Sequence, residues 1–450
     1  MYLSLRASCF FKALALCLLL LLGARKEGYG QVAMERVYAT SQTNNDCPLC
    51  LTIIVNNESN AVDQNIRTYS SLGITVLGTV WQQLTFPSSL SPGTVSRIKI
   101  GTGTDLLSLL GNITVQAYQG SSPVGDSEVL SSLISLIGGT DEAEVVFTPM
   151  NGATPVAYNS IRITSSGVAL GGGLYIFDAY YLKSVGNDIS CDDPSDVLAG
   201  STGSIAGGLN PVENQYNSID GNSITSALLR ANVSALNKTH LTAIYNTLSA
   251  PGDSVKIIIQ NPGGGLLDAT LLAQQFALHT YNDNSDNGSL ALDANILNLK
   301  LLPGSSDVQI LTYPVSQPFN RIEISLGEGL VKALSSLRVY EISRTIQIPK
   351  ITAPNINNGE INICEGEPPI ALAIDNPVSG YEYHWFKDGN SESITGTSYI
   401  ISSPVYGENH TYHVVASRIG CTEESESLSV IVNVLPQAGK PHLTITDIIN

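Results

Sequence analysis

The chain has 450 residues, only 14% of them charged, and 39 acidic side chains outnumber 22 basic ones for a net charge of -17. That length accommodates about three domains, and 43% apolar content is enough to fill their cores, which excludes a disordered chain. The acidic balance excludes a nucleic-acid groove, because few cations are left to neutralise phosphates.

In chain order, Arg6 and Lys12 precede an apolar stretch from Ala13 to Leu22. A short basic region before about ten apolar residues is the pattern of a secretory signal, too short to span a hydrocarbon core of about 30 Å. Residues 1–30 are read as a signal peptide, with cleavage before Gln31. Setting aside Arg6, Lys12, Arg25, Lys26 and Glu27 leaves 18 basic and 38 acidic residues, a net charge of -20. The mature chain is expected to carry no transmembrane segment and to be secreted or held at the cell surface.

Two stretches then repeat. Asn60-Ala61-Val62-Asp63 is echoed by Asn210-Pro211-Val212-Glu213, and Tyr69 to Thr75 aligns loosely with Ser218 to Thr225. Further on, Tyr158-Asn159-Ser160-Ile161-Arg162-Ile163 matches Phe319-Asn320-Arg321-Ile322-Glu323-Ile324. Leu174-Tyr175-Ile176-Phe177-Asp178 then matches Leu337-Arg338-Val339-Tyr340-Glu341. The copies are placed at residues 44–185 and 186–347, each large enough for its own core. Ile98-Lys99-Ile100, Ile113-Thr114-Val115-Gln116-Ala117-Tyr118 and Val255-Lys256-Ile257 alternate apolar with polar residues. Alternation puts one face of a strand on a core and the other toward water. Each copy is therefore expected to be a β sandwich, with Trp81 in the core of the first. Val129 to Leu136 and Ala269 to Ala277 could be short helices.

Residues 351–435 form a different unit. Cys364 is followed by Trp385 and then Cys421, among alternating runs such as Tyr381 to Phe386 and Thr411 to Ala416. A Cys pair bridging two sheets with a Trp packed against it is the immunoglobulin arrangement. A Cys364–Cys421 disulfide beside a buried Trp385 is expected. Residues 436–450 read as a linker or the start of a further module.

The third unit resembles the immunoglobulin-like modules of large secreted and surface proteins of Bacteroidetes, through Ile363-Cys364-Glu365-Gly366, Tyr383-His384-Trp385-Phe386-Lys387-Asp388-Gly389 and Gly420-Cys421-Thr422. The two repeats resemble the β-sandwich modules found upstream of such domains, and distantly the discoidin-type galactose-binding-like jelly roll, through Asp220-Gly221-Asn222 and Trp81. The fold class expected is all-β: two tandem jelly-roll-like sandwiches and an immunoglobulin-like sandwich.

Few residues suggest chemistry. The six His form no His-Glu-x-x-His motif. Cys47-Pro48-Leu49-Cys50 has the spacing of a redox or zinc half-site but lacks a second pair and a strand–helix context. Cys47 or Cys50 is a candidate disulfide partner for Cys191. The glycine clusters lack the Lys-Ser/Thr of a phosphate cradle. Asp283 and Asp286, within Asn282-Asp283-Asn284-Ser285-Asp286-Asn287-Gly288, supply hard oxygen ligands of the kind calcium takes, as do Asp192, Asp193 and Asp196. Solvated turns account for the same residues. Tyr180, Tyr181, Tyr281 and Tyr313 are candidate ligand aromatics. With no nucleophile, base or metal site to name, the chain is read as non-catalytic. The resemblance implies extracellular binding or adhesion, with glycans or surface proteins as partners. The alternative is a structural spacer that presents other modules.

Overall fold

The computed structural model describes residues 33–437 apart from 46–53, 74–78, 103–109, 134–140, 167–172, 186–189, 202–210, 232–237, 268–269, 271, 273–275, 291–297, 328–333 and 403. The predicted signal peptide, Cys47, Cys50 and most of the predicted C-terminal linker lie outside the described residues. The chain is nearly all β and divides into two bodies. One is Val32–Gln347 with Gly420–Ser425; the other includes Ile348–Ile419 and Glu426–Asn450.

The larger body begins with β1 (Met34–Tyr38), β2 (Ser41–Asn44), β3 (Val55–Asn56), β4 (Ser70–Leu72), β5 (Thr79–Leu90), β6 (Ser96–Thr102) and β7 (Ile113–Gln119). It continues through β8 (Ser122–Val129), β9 (Glu142–Phe147), β10 (Met150–Asn151), β11 (Thr154–Pro155), β12 (Tyr158–Ser166) and β13 (Leu174–Ser184). One sheet runs β3-β4-β13-β6-β9, with β1 also on β13; the other runs β2-β5-β12-β7-β8. Strand β1 precedes residue 44, so this sandwich starts earlier than the sequence landmarks placed it. A single helical turn, Leu130–Leu133, covers part of the predicted helix at Val129 to Leu136.

The next eleven strands are β14 (Asp196–Ser201), β15 (Val212–Glu213), β16 (Ala227–Arg230), β17 (Thr239–Ile244), β18 (Ser254–Gln260) and β19 (Phe276–Asn282). Then come β20 (Ser285–Leu290), β21 (Asn298–Leu301), β22 (Val308–Pro314), β23 (Arg321–Leu326) and β24 (Ser336–Thr345). They form sheets β14-β17-β23-β19-β20 and β15-β16-β24-β18-β22-β21. The two five-strand orders of the first sandwich recur here, with β21 added at an edge and no counterpart to β1 or to the β10–β11 hairpin.

Local details repeat as well. Asp63 accepts from the Asn65 amide and the Thr68 hydroxyl, and Asp220 accepts from the Asn222 amide and the Thr225 hydroxyl. The residue between the Asp and Asn has positive φ in both copies, 63° at Gln64 and 68° at Gly221. A β-bulge interrupts the pairing of β13 with β6 between Ile176 and Asp178, and the pairing of β24 with β18 skips Tyr340 between Val339 and Glu341. These equivalences correct two landmarks, because short echoes recur by chance in turn-rich chains: Asp63 corresponds to Asp220, not to Glu213, and Leu72, opposite Leu174, corresponds to Leu229, opposite Leu337, so Tyr69 does not align with Ser218.

Each sandwich has its own apolar core. Leu84, Ile98, Val115, Phe147 and Ile161 meet in the first, and Leu241, Ile257, Leu278, Phe319 and Ile322 in the second. Burying a side chain of this size contributes roughly 1.5–3 kcal/mol.

The outward faces of the two sandwiches meet through charge. Lys99 of β6 reaches Asp196 of β14 at 2.7 Å, with Arg36 of β1 on the same carboxylate at 3.3 Å. Arg321 of β23 binds Glu144 of β9 at 2.7 Å, and Arg97 of β6 binds Asp283 at 2.8 Å. Asn320 donates to the same Asp283 oxygen. The first sandwich therefore docks its β6–β9–β13 face onto the β14–β17–β23 face of the second.

The smaller body contains β25 (Ile351–Thr352), β26 (Glu360–Cys364), β27 (Ile370–Ile374), β28 (Tyr381–Lys387), β29 (Asn390–Thr395), β30 (Ser398–Ile401), β31 (His410–Arg418) and β32 (Ser429–Leu435). Sheets β25-β27-β30 and β26-β32-β31-β28-β29 make an immunoglobulin-like sandwich. Trp385 is fully buried, and its indole N–H donates to the Gly396 carbonyl.

The expected Cys364–Cys421 bridge is absent. Cys421 is bonded to Cys191 with Cα atoms 5.6 Å apart, and Cys364 is free. Cys364 closes β26, which joins the same sheet as β31, so it is not placed to bridge two sheets. Leu372 and Val414, both fully buried, occupy the sandwich interior on β27 and β31. Cys191 is also thereby unavailable to Cys47 or Cys50. Gly420, at φ 79°, carries the chain to Cys421, and a Cβ there would lie 3.3 Å from that of Ala33. Against the effect of burial, the Ser190 hydroxyl and then the Cys191 and Asp192 amides donate to Glu423 and hold its carboxyl below the ordinary range.

Candidate functional site

The sheet β2-β5-β12-β7-β8 turns Val80, Leu84, Ile161, Ile163, Val115 and Ala117 into the core. Period-two alternation sends the intervening residues outward. Three rungs of paired residues result: Trp81–Thr164–Thr114, Gln83–Arg162–Gln116 and Thr85–Ser160–Tyr118. Arg162 sits at the centre, with Trp81 and Tyr118 at opposite corners, and diagonal neighbours on a sheet are within reach of long side chains.

The Arg162 guanidinium lies 3.8 Å from the Trp81 ring centroid and 4.0 Å from that of Tyr118. Its Nε and Nη2 both donate to Gln83 Oε1, at 3.2 and 2.9 Å. Gln83 is fixed in turn by donating to Ser160 Oγ and the Gly120 carbonyl. Gln116 donates to the Val124 and Gly125 carbonyls. The guanidinium is thus locked in plane by two rings and an amide. Trp81 and Arg162 are half-buried and Tyr118 is buried, so solvent reaches the platform on its Trp81–Arg162 side.

The equivalent rungs of the second sandwich are His240–Ser325–Ala277, Thr242–Glu323–His279 and Ile244–Arg321–Tyr281. The centre there is Glu323, and this face is covered. Burial lifts the Glu323 carboxyl to about 7, against the pull of Lys238. Burial, with Lys238 nearby, lowers His240 to about 4. Among the described residues, the buried His240 Nε2 and Ser325 Oγ have no hydrogen-bond partner. The second grid is buried except at His279, whereas the first is partly exposed at Trp81, Arg162, Gln116, Thr114, Thr164 and Thr85 and buried at Gln83, Ser160 and Tyr118.

The predicted site residues fall elsewhere. Tyr180, Tyr281 and Tyr313 are buried, so the expectation that they meet a ligand is corrected. Tyr180 donates to Glu144 inside the joint, and Tyr181 packs edge-on against Phe86 at the core margin. Trp81, expected in the core, lies on the outward face instead. The calcium candidates are not gathered around one point. Asp196 is held by Lys99 and Arg36, Asp283 by Arg97 and Asn320, and Asp192 by Arg344. Asp193 accepts from Ser190, and Asp286 from the Gly288 amide. Among the described residues, one group of three metal-ligating side chains comes together, Cys191, Cys421 and Glu423, and its two sulfurs are already joined.

Sequence reasoning passed over Arg162 and Tyr118. The available signal was their position: a large aromatic and an arginine on the polar phase of amphipathic strands. A cleft of about 170 Å3 in the smaller body is bordered by Tyr399, Ile401, His410, Tyr412 and Val434.

Residues 352–436 match the Ig-like domain family described as CHU_C associated. A comparison with curated proteins finds no match. Among solved structures, the chain is similar to the paired CBM32-1 and CBM32-2 domains of Clostridium perfringens ZmpB, at 10% identity and TM-score 0.24, covering 70% of this chain and 99% of that one. It is similar to the adhesin domain of Epf from Streptococcus pyogenes at 10% identity and TM-score 0.22, covering 48% of this chain and 78% of that one. A beta-1,2-glucanase from Parabacteroides distasonis is 16% identical at TM-score 0.23, over 56% of this chain and 39% of that one. At these TM-scores the likeness carries no argument about function. The match over 352–436 agrees with the immunoglobulin-like sandwich of the smaller body.

Proposed function

We propose that this chain is an extracellular, non-catalytic glycan-binding protein whose first sandwich offers a sheet face to sugar rings. The supporting observation is the Trp81–Arg162–Tyr118 stack on an open face. A ring held rigid at a solvated surface presents apolar area at little entropic cost, which suits the C–H faces of pyranoses. The half-buried groups around it, Gln116, Thr114 and Thr164, offer hydrogen bonds. The test is a glycan array on the mature protein beside its Trp81→Ala variant. Loss of binding in the variant, with an unchanged circular dichroism spectrum, is the expected result; equal binding by both would sink the assignment. A spacer role is the second reading, favoured by the buried ion pairs that join the sandwiches. It predicts no glycan signal in either protein.

A further inference from the structure

Resting on that reading, we infer that the open face of the first sandwich takes polysaccharides bearing carboxylates, with Arg162 as the recognition group. The nine positions of the three rungs contain a single charged residue, Arg162. Among the described residues no carboxylate pairs with it and no group bonds its Nη1, while its other two nitrogens go to a neutral amide. In a protein with 39 acidic residues, a guanidinium so fixed and left without an acid is a vacancy for one. A planar fork already clamped between two rings loses little freedom on pairing with a carboxylate. The flanking Trp81 ring supplies the surface for the sugar that carries it.

The equivalent face in the second sandwich shows why the occupant is not a second copy of this chain. There the joint depends on Asp196 and Arg321, which receive Lys99 and Glu144. The same rung of the open face holds Ser41, Thr85 and Ser160, and none of these can form those ion pairs. The net negative charge of the chain works against any polyanion at long range, but it is screened beyond about 8 Å at physiological ionic strength. Contact between Arg162 and a single uronate is made inside that distance.

The experiment measures binding of the full chain, by affinity electrophoresis and calorimetry, to polygalacturonate, alginate and hyaluronan. Each is paired with its carboxyl-reduced, neutral counterpart. At least one acidic polymer is expected to bind 10-fold or more tightly than its reduced form. Arg162→Gln should abolish that preference, and Arg162→Lys should restore it in part. Binding should also weaken as pH falls through the uronate range, where arginine stays charged. Equal affinity for native and reduced polymers, lost in Trp81→Ala, would overturn the carboxylate assignment while leaving the glycan reading standing. Absence of binding to every polymer in both forms would overturn both. Binding to dextran sulfate as tight as to the uronates, and insensitive to Arg162→Gln, would mark a nonspecific polyanion effect and also overturn the inference.

Discussion

Lys99 of the first sandwich places its ammonium 2.7 Å from Asp196 of the second, and both side chains are almost completely withdrawn from solvent. Burial alone would depress the Lys99 ammonium; Asp196 and then Glu142 reverse this and hold its pKa above the ordinary lysine value. The ammonium also donates to the Val197 and Ile66 carbonyls and the Tyr216 hydroxyl. A buried pair with this many donors and acceptors satisfied fixes one docking geometry, because any sliding would strand a charge.

Removing one partner is therefore expected to be costly. Lys99→Met or Asp196→Asn should destabilise the larger body by about 3–5 kcal/mol, since the first leaves Asp196 to the longer Arg36 contact and the second takes the carboxylate from both buried cations. Lys99→Met combined with Asp196→Asn should cost less than the sum of the two single changes, with Arg36 still held by Asn246 and Ser195. Urea unfolding of the four proteins gives the double-mutant cycle, and simple additivity would show that the pair is not coupled.

Asp178 gives the joint a pH dependence. Both of its carboxylate oxygens are buried without a hydrogen-bond partner among the described residues. Burial, reinforced by Asp196 and Glu144 and opposed by Arg36 and Lys99, raises its pKa from 3.8 to about 7. The folded state thus holds this proton more tightly than the unfolded chain does. Its favourable contribution is complete below about pH 4, is lost as pH rises to about 7, and changes no further above that. Asp178→Asn should flatten stability between pH 4 and 7 and raise the thermal midpoint at pH 8. An unaltered pH profile in the variant would refute this.

The disulfide pattern is checked by mass. Non-reducing digestion should yield a peptide pair joined through Cys191 and Cys421, while Cys364 is alkylated without prior reduction. In the chain-entropy account, closing so long a loop contributes roughly 5 kcal/mol at most. Recovery of a Cys364–Cys421 peptide would contradict the structure.

Trp385→Ala is expected to destabilise the immunoglobulin-like body by about 3–5 kcal/mol, because the indole is fully buried against Tyr399 and its N–H is bonded. Differential scanning calorimetry should show one transition lowered and that of the larger body unmoved. A parallel drop in both would show that the bodies unfold together.

Alternation in the sequence determined the all-β class, the strand character of segments such as Ile98-Lys99-Ile100, and the burial of Trp385, since period-two patterning follows directly from strand geometry. The repeat was legible for the same reason: Ile161 and Ile163 match Ile322 and Ile324 because equivalent strands fill equivalent cores. Outward residues carry no such signature. Lys99 and Arg162 both sit on the polar phase of an alternating strand, yet one is buried in a joint and the other stands on an open face. Cys421 likewise gave no sign of choosing Cys191 over Cys364, 57 residues away in sequence rather than 230. Tertiary structure decided these, because a strand pattern says which residues share a face and only packing says what that face meets.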